Sequence, residues 1–293
     1  MNDFQEEKAL AERELEVYKR NDMIQKARFT LSVQEQRAVL YAISKIKPED
    51  TYLKEYEFDI KDFYNVIGWS KESYTDFKAM MIELRNKGWY ITLPDGVTET
   101  SIAWFSKVRT NKKSGKVTIK FDEDMMPYLI QLAQGTEFYT KYQLQYVLPM
   151  SSQYSPRLYE ILKSYQYNNI HWFFDIDDLK HLLDCKNYKN FNDFKRFALD
   201  PAVEEINKYT DIAVGYSLKK NGRKVIKVNF FMKGKTKREI IKTQREITEE
   251  LGQLSIDDAL GEFATKNAEE RRFWEERTRA EEEQRAFDEK YGL

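Results

Sequence analysis

One cysteine in 293 residues, Cys185, excludes an internal disulfide framework and any cysteine-built zinc site. It closes an apolar helix pattern and reads as a small buried hydrophobe. Histidine is almost as scarce. His171 and His181 stand ten residues apart, so the His-hydrophobe-His metal motif of nicking replication enzymes is missing. No run of about 18 uncharged apolar residues occurs, which leaves no transmembrane helix. Residues 1–20 lack the apolar core of a signal peptide, and a cytoplasmic protein is expected. Gly234-Lys235-Thr236 has the form of the end of a phosphate loop. The earlier glycine such a loop needs would fall at Asn229, so no nucleotide cradle follows. The acidic groups Asp122-Glu123-Asp124 and Asp175-Ile176-Asp177 stand at helix starts, where capping and the helix dipole account for them without metal. The sequence thus offers no catalytic residue, no metal site and no cofactor.

What the chain does hold is charge, unevenly placed. The whole is −1. Residues 1–20 carry 4 basic and 6 acidic residues, and residues 237–293 carry 11 and 16. The body, residues 21–236, carries 33 basic and 27 acidic residues, which makes it moderately cationic and suited to an anionic partner. Aromatic residues, 14% of the chain, concentrate in the same body, where two modest cores are expected.

The body also repeats itself. Ile60-Lys61-Asp62-Phe63 through Val66-Ile67 is echoed by Ile176-Asp177-Asp178-Leu179 through Leu182-Leu183. Asp76 and Asp193 follow at nearly equal distance, then Asn86-Lys87 and Asn207-Lys208, and then a basic hairpin in each copy. Short helix, turn, longer helix and hairpin is the order of a winged helix.

The local signals agree. Ser32 with Glu35 forms a capping box for a helix that Pro48-Glu49-Asp50 ends. A strand over 52–58 and a helix over 61–67 follow, the latter broken by Gly68. Ser70 is placed to cap a second helix bearing Phe77, Met80, Met81 and Leu84, which Gly88 stops. Strands are expected over 89–93, 101–110 and 116–121, then a helix from Asp122 through Leu132 and an aromatic connection over 135–150. In the second copy a helix spans 156–167, a strand 171–174, a helix ends near Cys185, and a long helix spans 193–209. Pro201 interrupts that helix, with Phe194, Phe197, Val203 and Ile206 facing inward. Asn221-Gly222 joins the last two strands.

Duplex DNA binding needs cations for phosphates and a helix that enters the major groove. The second long helix offers Lys189, Asn190, Asn192, Lys195 and Arg196 near its start. The first offers Lys71, Ser73, Tyr74, Lys78 and Arg85, a less basic set suited to positioning. The hairpins supply Arg109, Lys112, Lys113 and Lys116, then Lys219, Lys220, Arg223 and Lys224, for phosphates beside the groove. Arg157 completes the candidate set.

With these residues in view, the chain resembles plasmid replication initiators with two winged helices (the Rep_3 or RepB-type initiators). Leu31-Ser32-Val33-Gln34-Glu35-Gln36-Arg37 resembles the opening helix of that family. Ser155-Pro156-Arg157-Leu158-Tyr159-Glu160 resembles the start of its second domain, and Phe194-Lys195-Arg196 with Pro201-Ala202-Val203-Glu204-Glu205-Ile206-Asn207 its recognition helix. The likeness covers roughly residues 20–235. It implies an α+β fold of two tandem winged-helix domains, binding to directly repeated origin sites (iterons), opening of the duplex and recruitment of host replication proteins. It also implies a homodimer in equilibrium with monomer, formed through the first domain and repressing its own gene. Asn192, Lys195 and Arg196 would be major-groove contacts, with Lys71, Ser73, Tyr74 and Lys78 in the corresponding place of the first domain.

The expected organisation is a charged segment over 1–20, winged helices over 21–148 and 149–236, and an acidic tail over 237–293, helical or disordered, with a partner-binding helix over 269–290 as the functional alternative. Two other readings compete: a transcriptional repressor without a replication role, and a DNA-processing relaxase or primase, which the missing metal motifs disfavour.

Overall fold

The computed structural model describes residues 3–47, 50–67, 73–93, 95–130, 132, 138–166, 170–185 and 187–251, with side chains from Lys8 onward. Gly68, Ser70, Lys71, Pro48, Pro94 and the 269–290 segment lie outside the described residues.

The chain begins with α1 (Asp3–Arg13), β1 (Glu16–Arg20) and α2 (Asn21–Lys26). The first repeat is α3 (Val33–Ser44), β2 (Glu55–Asp59), α4 (Ile60–Ile67), α5 (Tyr74–Asn86), β3 (Gly88–Thr92), β4 (Glu99–Ala103), β5 (Phe105–Asn111) and β6 (Lys116–Phe121). After α6 (Met126–Leu129) and β7 (Tyr139–Gln143) comes the second: α7 (Ser155–Gln166), β8 (His171–Asp175), α8 (Ile176–Leu182), α9 (Phe191–Phe194), a π turn (Lys195–Leu199), α10 (Asp200–Tyr209), β9 (Ile212–Asn221) and β10 (Lys224–Gly234). A last helix, α11, covers residues 237–251.

The copies share one topology. Each has a three-stranded antiparallel sheet in which the last strand lies in the middle: β2-β6-β5 and β8-β10-β9. Equivalent core positions are filled by Phe58 and Phe174, Ile60 and Ile176, Phe63 and Leu179, Ile67 and Leu183, and Phe77 and Phe194, all buried. In the first copy Tyr41, Phe58, Phe63 and Phe77 make a chain of edge-on and stacked rings with centroids 5.2–5.8 Å apart. The buried positions of α5, Phe77, Met81 and Leu84, follow the i, i+4, i+7 rule of a helix with one inward face.

Several sequence expectations are corrected. Residues 16–20 of the charged N-terminal segment form a strand, and β1 pairs antiparallel with β7, a strand inside the expected aromatic connection. The single strand expected over 101–110 is two, split at buried Trp104: β4 pairs with β3, and β5 with β6. The first copy therefore carries an inserted hairpin. α5 ends at Asn86 with Lys87 as its C-cap, and Gly88 is the first residue of β3, where a Cβ would sit 2.6 Å from the Ile102 carbonyl oxygen. Ser73, not Ser70, caps α5, its Oγ accepting from the Asp76 amide at 3.4 Å. The helix expected from Asp122 through Leu132 is a 3-10 turn followed by α6, which stops at Leu129.

The two copies are fastened by α7. The Lys19 ammonium from β1 lies 2.5 Å from the Glu160 carboxylate of α7, both side chains 3% exposed. Tyr142 Oη of β7 donates to the same carboxylate at 2.5 Å. Burial pulls the Lys19 ammonium below its ordinary range and pushes the Tyr142 hydroxyl well above its own. On its other side α7 packs against α10, with Ala202 and Ile206 buried there. One helix thus belongs to both cores.

Candidate nucleic-acid interface

In the second copy the loop after α8 leads into a helical run from Phe191 to Tyr209 whose middle turn is π. Pro201 has no N–H for the preceding turn, and the run takes up the mismatch by widening rather than breaking. The Asp200 amide donates to the Lys195 carbonyl, five residues back. Asn190 caps the start, its Oδ1 accepting from the Asp193 amide at 2.8 Å. Asn192 and Arg196 are exposed along this run, and Lys189 in the loop before it.

The π turn also alters two expectations. Lys195 is not an open cation: its ammonium lies 2.5 Å from the Asp200 carboxylate, at the i, i+5 spacing that a π turn superposes. Phe197 was expected inward but is 51% exposed, while Phe194, Ala198 and Leu199 fill the core.

The wing beside this helix is β9–β10. It turns through Gly222 at φ +58° and Arg223, with Asn221 and Lys224 paired across the turn. Lys219, Lys220, Arg223 and Lys224 are all exposed, and none has a carboxylate within ion-pair distance among the described residues. Lys227, farther down, is opposed by Asp175 at 3.3 Å, and Lys233 by Glu239 at 3.8 Å.

The first copy offers a weaker surface of the same layout. Lys78 and Arg85 are exposed on α5, but Ser73 and Tyr74 are half-buried and engaged. Ser73 Oγ caps the helix, and Tyr74 Oη donates to Thr110 Oγ1 at 3.0 Å, tying α5 to the wing strand β5. They position the helix rather than present free groups. On the wing, Arg109, Lys112 and Lys113 are exposed. Lys116 pairs with Glu57 at 2.6 Å, and Lys107 with Glu55 at 2.6 Å, so part of this wing's charge is cancelled within its own sheet.

Arg157 is a correction. It is 4% exposed, donates to the Ala27 carbonyl at 2.5 Å, and rests over the Phe29 ring at 5.0 Å. It joins α7 to the first domain and has no access to a ligand. Burial pulls its guanidinium down to about 10. The motif that suggested it was real; its work is internal.

Elsewhere the chemistry is quiet. Cys185 is buried, and burial pushes its thiol up to about 12. Among the described residues no cluster of His, Cys, Asp and Glu is arranged to hold a metal ion, and no helix is long and apolar enough to cross a membrane. Lys235, of the discarded phosphate-loop motif, donates to the Asn207 carbonyl at 2.6 Å and to Thr243 Oγ1 at 2.8 Å. Thr236 caps α11, with Glu239 completing a capping box.

Two repeats of helix, strand, helix, recognition helix and wing, with cations gathered on the second recognition helix and wing, define a tandem winged-helix protein. The family described as "Initiator Replication protein, WH1" matches residues 16–163, and "Initiator Rep protein, WH2" matches residues 175–232. The chain belongs to this family of replication initiators. It is 29% identical over 209 residues to the PI protein of Escherichia coli, covering 65% of this chain and 66% of that protein. It is 27% identical over 221 residues to a replication initiation protein of Escherichia coli, covering 68% of this chain and 64% of that protein. The matches thus span just under two thirds of these relatives' own lengths. The crystal structure of the Pi initiator protein in complex with iteron DNA superposes with a TM-score of 0.59 at 21% identity, covering 76% of this chain and 99% of that one.

Proposed function

We propose that this protein initiates plasmid replication by binding repeated origin sites in duplex DNA, without an enzymatic step of its own. The observation that carries the reading is the second copy's pairing of an exposed helix start, bearing Asn192 and Arg196, with a wing whose four tip cations have no carboxylate partner among the described residues. That pairing suits base edges in the major groove and phosphates beside it. The first copy supplies a second, weaker contact one repeat unit away. Duplex opening would draw on bending strain and on host replication proteins held nearby. A dimer formed through the first domain, repressing the gene, fits the same scheme, as does a cytoplasmic location. The division at residues 21–148 and 149–236 is kept as the working domain boundary, with α7 serving both sides.

A footprint of the purified chain on DNA flanking its own gene tests this. Protection of several direct repeats, spaced near whole helical turns, is expected. Protection of a single inverted repeat would favour a repressor without a replication role, and no protection at moderate salt would overturn the reading.

A further inference from the structure

Phe197 stands out on the cationic face. A phenylalanine half open to water is costly, at about 25 cal/mol per Å2 of apolar surface left unburied. It lies at the seventh position of the helical run that starts at Phe191, about 9 Å along the axis from its start. The neighbours on that surface, Lys189, Asn192 and Arg196, are polar and exposed. The ring is also held in place. It stacks on Tyr188 at 6.3 Å and 18°, and Tyr188 in turn meets buried Tyr154 edge-on at 6.2 Å. The Arg196 guanidinium sits 5.1 Å from the Phe197 centroid. An apolar disc is thus fixed, beside a guanidinium, on the exposed side of the helical run that carries Asn192 and Arg196.

The major groove has one apolar feature, the C5-methyl of thymine, and a phenyl ring is among the groups that contact it. We propose that Phe197 is a specificity-determining residue that reads a thymine methyl, with Tyr188 as its fixed support and Arg196 aimed at the adjoining base pair. The inference rests on the DNA-binding reading above. It adds apolar readout to a surface otherwise composed of hydrogen-bond donors.

The test is a cycle of protein and base changes with the full-length chain. Duplex is enriched from a randomised pool, and each thymine in the recovered site is replaced in turn by deoxyuridine, which lacks only the methyl. In the native chain one position should weaken binding roughly fourfold, the value of one buried methyl-sized group. With Phe197→Ala that position alone should become indifferent to thymine or deoxyuridine. A loss equal on both bases would reduce Phe197 to a packing residue and overturn the proposal, as would a native chain insensitive to every deoxyuridine. If Phe197→Ala does not fold, Phe197→Gln takes its place; it should lose the preference for thymine over deoxyuridine at that position and keep an unaltered profile at every other, and a thymine preference kept there would overturn the proposal. Failure to enrich any sequence would instead count against DNA recognition itself, so the two failures are distinguishable.

Discussion

At the scale of single residues, the proposed function separates reading from holding in the second copy. Arg196→Ala should weaken binding to the native repeat by about 1–3 kcal/mol while changing affinity for unrelated duplex far less, as direct titration would show. Lys224→Ala removes an exposed wing-tip charge that no carboxylate among the described residues opposes. It should weaken binding to all sequences alike and lower the salt slope by about 1, and a sequence-selective loss would contradict the role. Side chains of the same type that failed as candidates did so for reasons a sequence hides. Arg157 and Arg196 are both arginines in helices beside aromatic residues. Only the fold reveals that the first points at the Ala27 carbonyl from within the protein. Lys195 was legible as a cation near a helix start, but its partner Asp200 lies five residues away, a spacing that matters only once the turn is π.

At the scale of elements, the periodic helices were open to inspection and the short strands were not. The helices α3, α4, α5 and α7 declare themselves through apolar residues at helical spacing, and the capping box of α3 is present as expected, Ser32 Oγ accepting from Glu35 N at 3.3 Å. β1 and β7 escape a pattern search because the alternation of apolar and polar residues is broken: Lys19 and Thr140 are polar yet buried, while the aromatic Tyr18 and Tyr139 take outward positions. The helix α11 had a sequence signal, Thr236 followed three residues later by Glu239, that was absorbed by the discarded phosphate-loop motif. It docks through buried Thr243, Ile247 and Leu251, and through Glu250, which accepts from Tyr209 Oη at 2.7 Å. The Tyr209 hydrogen bond, with Lys208 adding to it, holds the Glu250 carboxyl below the usual carboxylate range. Such a group contributes stability above its unfolded pKa of roughly 4.3, and the contribution is lost as pH falls through the lower folded value. Protection of the amides over 237–251, relative to their intrinsic exchange rates, should therefore fall below about pH 4.3 in the native chain, and Glu250→Gln should remove that dependence. The inserted hairpin offers a steric test. Gly88→Ala drives a methyl into the Ile102 carbonyl and should cost about 1–3 kcal/mol by denaturant melting, with β3 and β4 exchanging fastest.

At the scale of the whole molecule, the duplication was readable from residues 60–67 and 176–183, because equivalent core positions keep their size and spacing. The manner of joining was not. Contacts between Lys19, Tyr142, Arg157 and Glu160 link residues far apart in the chain, and no local pattern records them. Glu160→Gln would leave the Lys19 ammonium buried without a counter-charge and should destabilise the protein by about 3–5 kcal/mol. Because α7 lies in both cores, calorimetry of the native chain should give one transition, and that substitution should lower it rather than divide it. Cleavage of the backbone between Met150 and Ser155 would give two fragments, one holding a socket lined by Lys19, Ala27 and Tyr142, the other carrying the peg that fills it. Expressed as separate genes, such halves would form a complementation pair: a signal attached to each would report when both are present, with recognition built from the molecule's own interior.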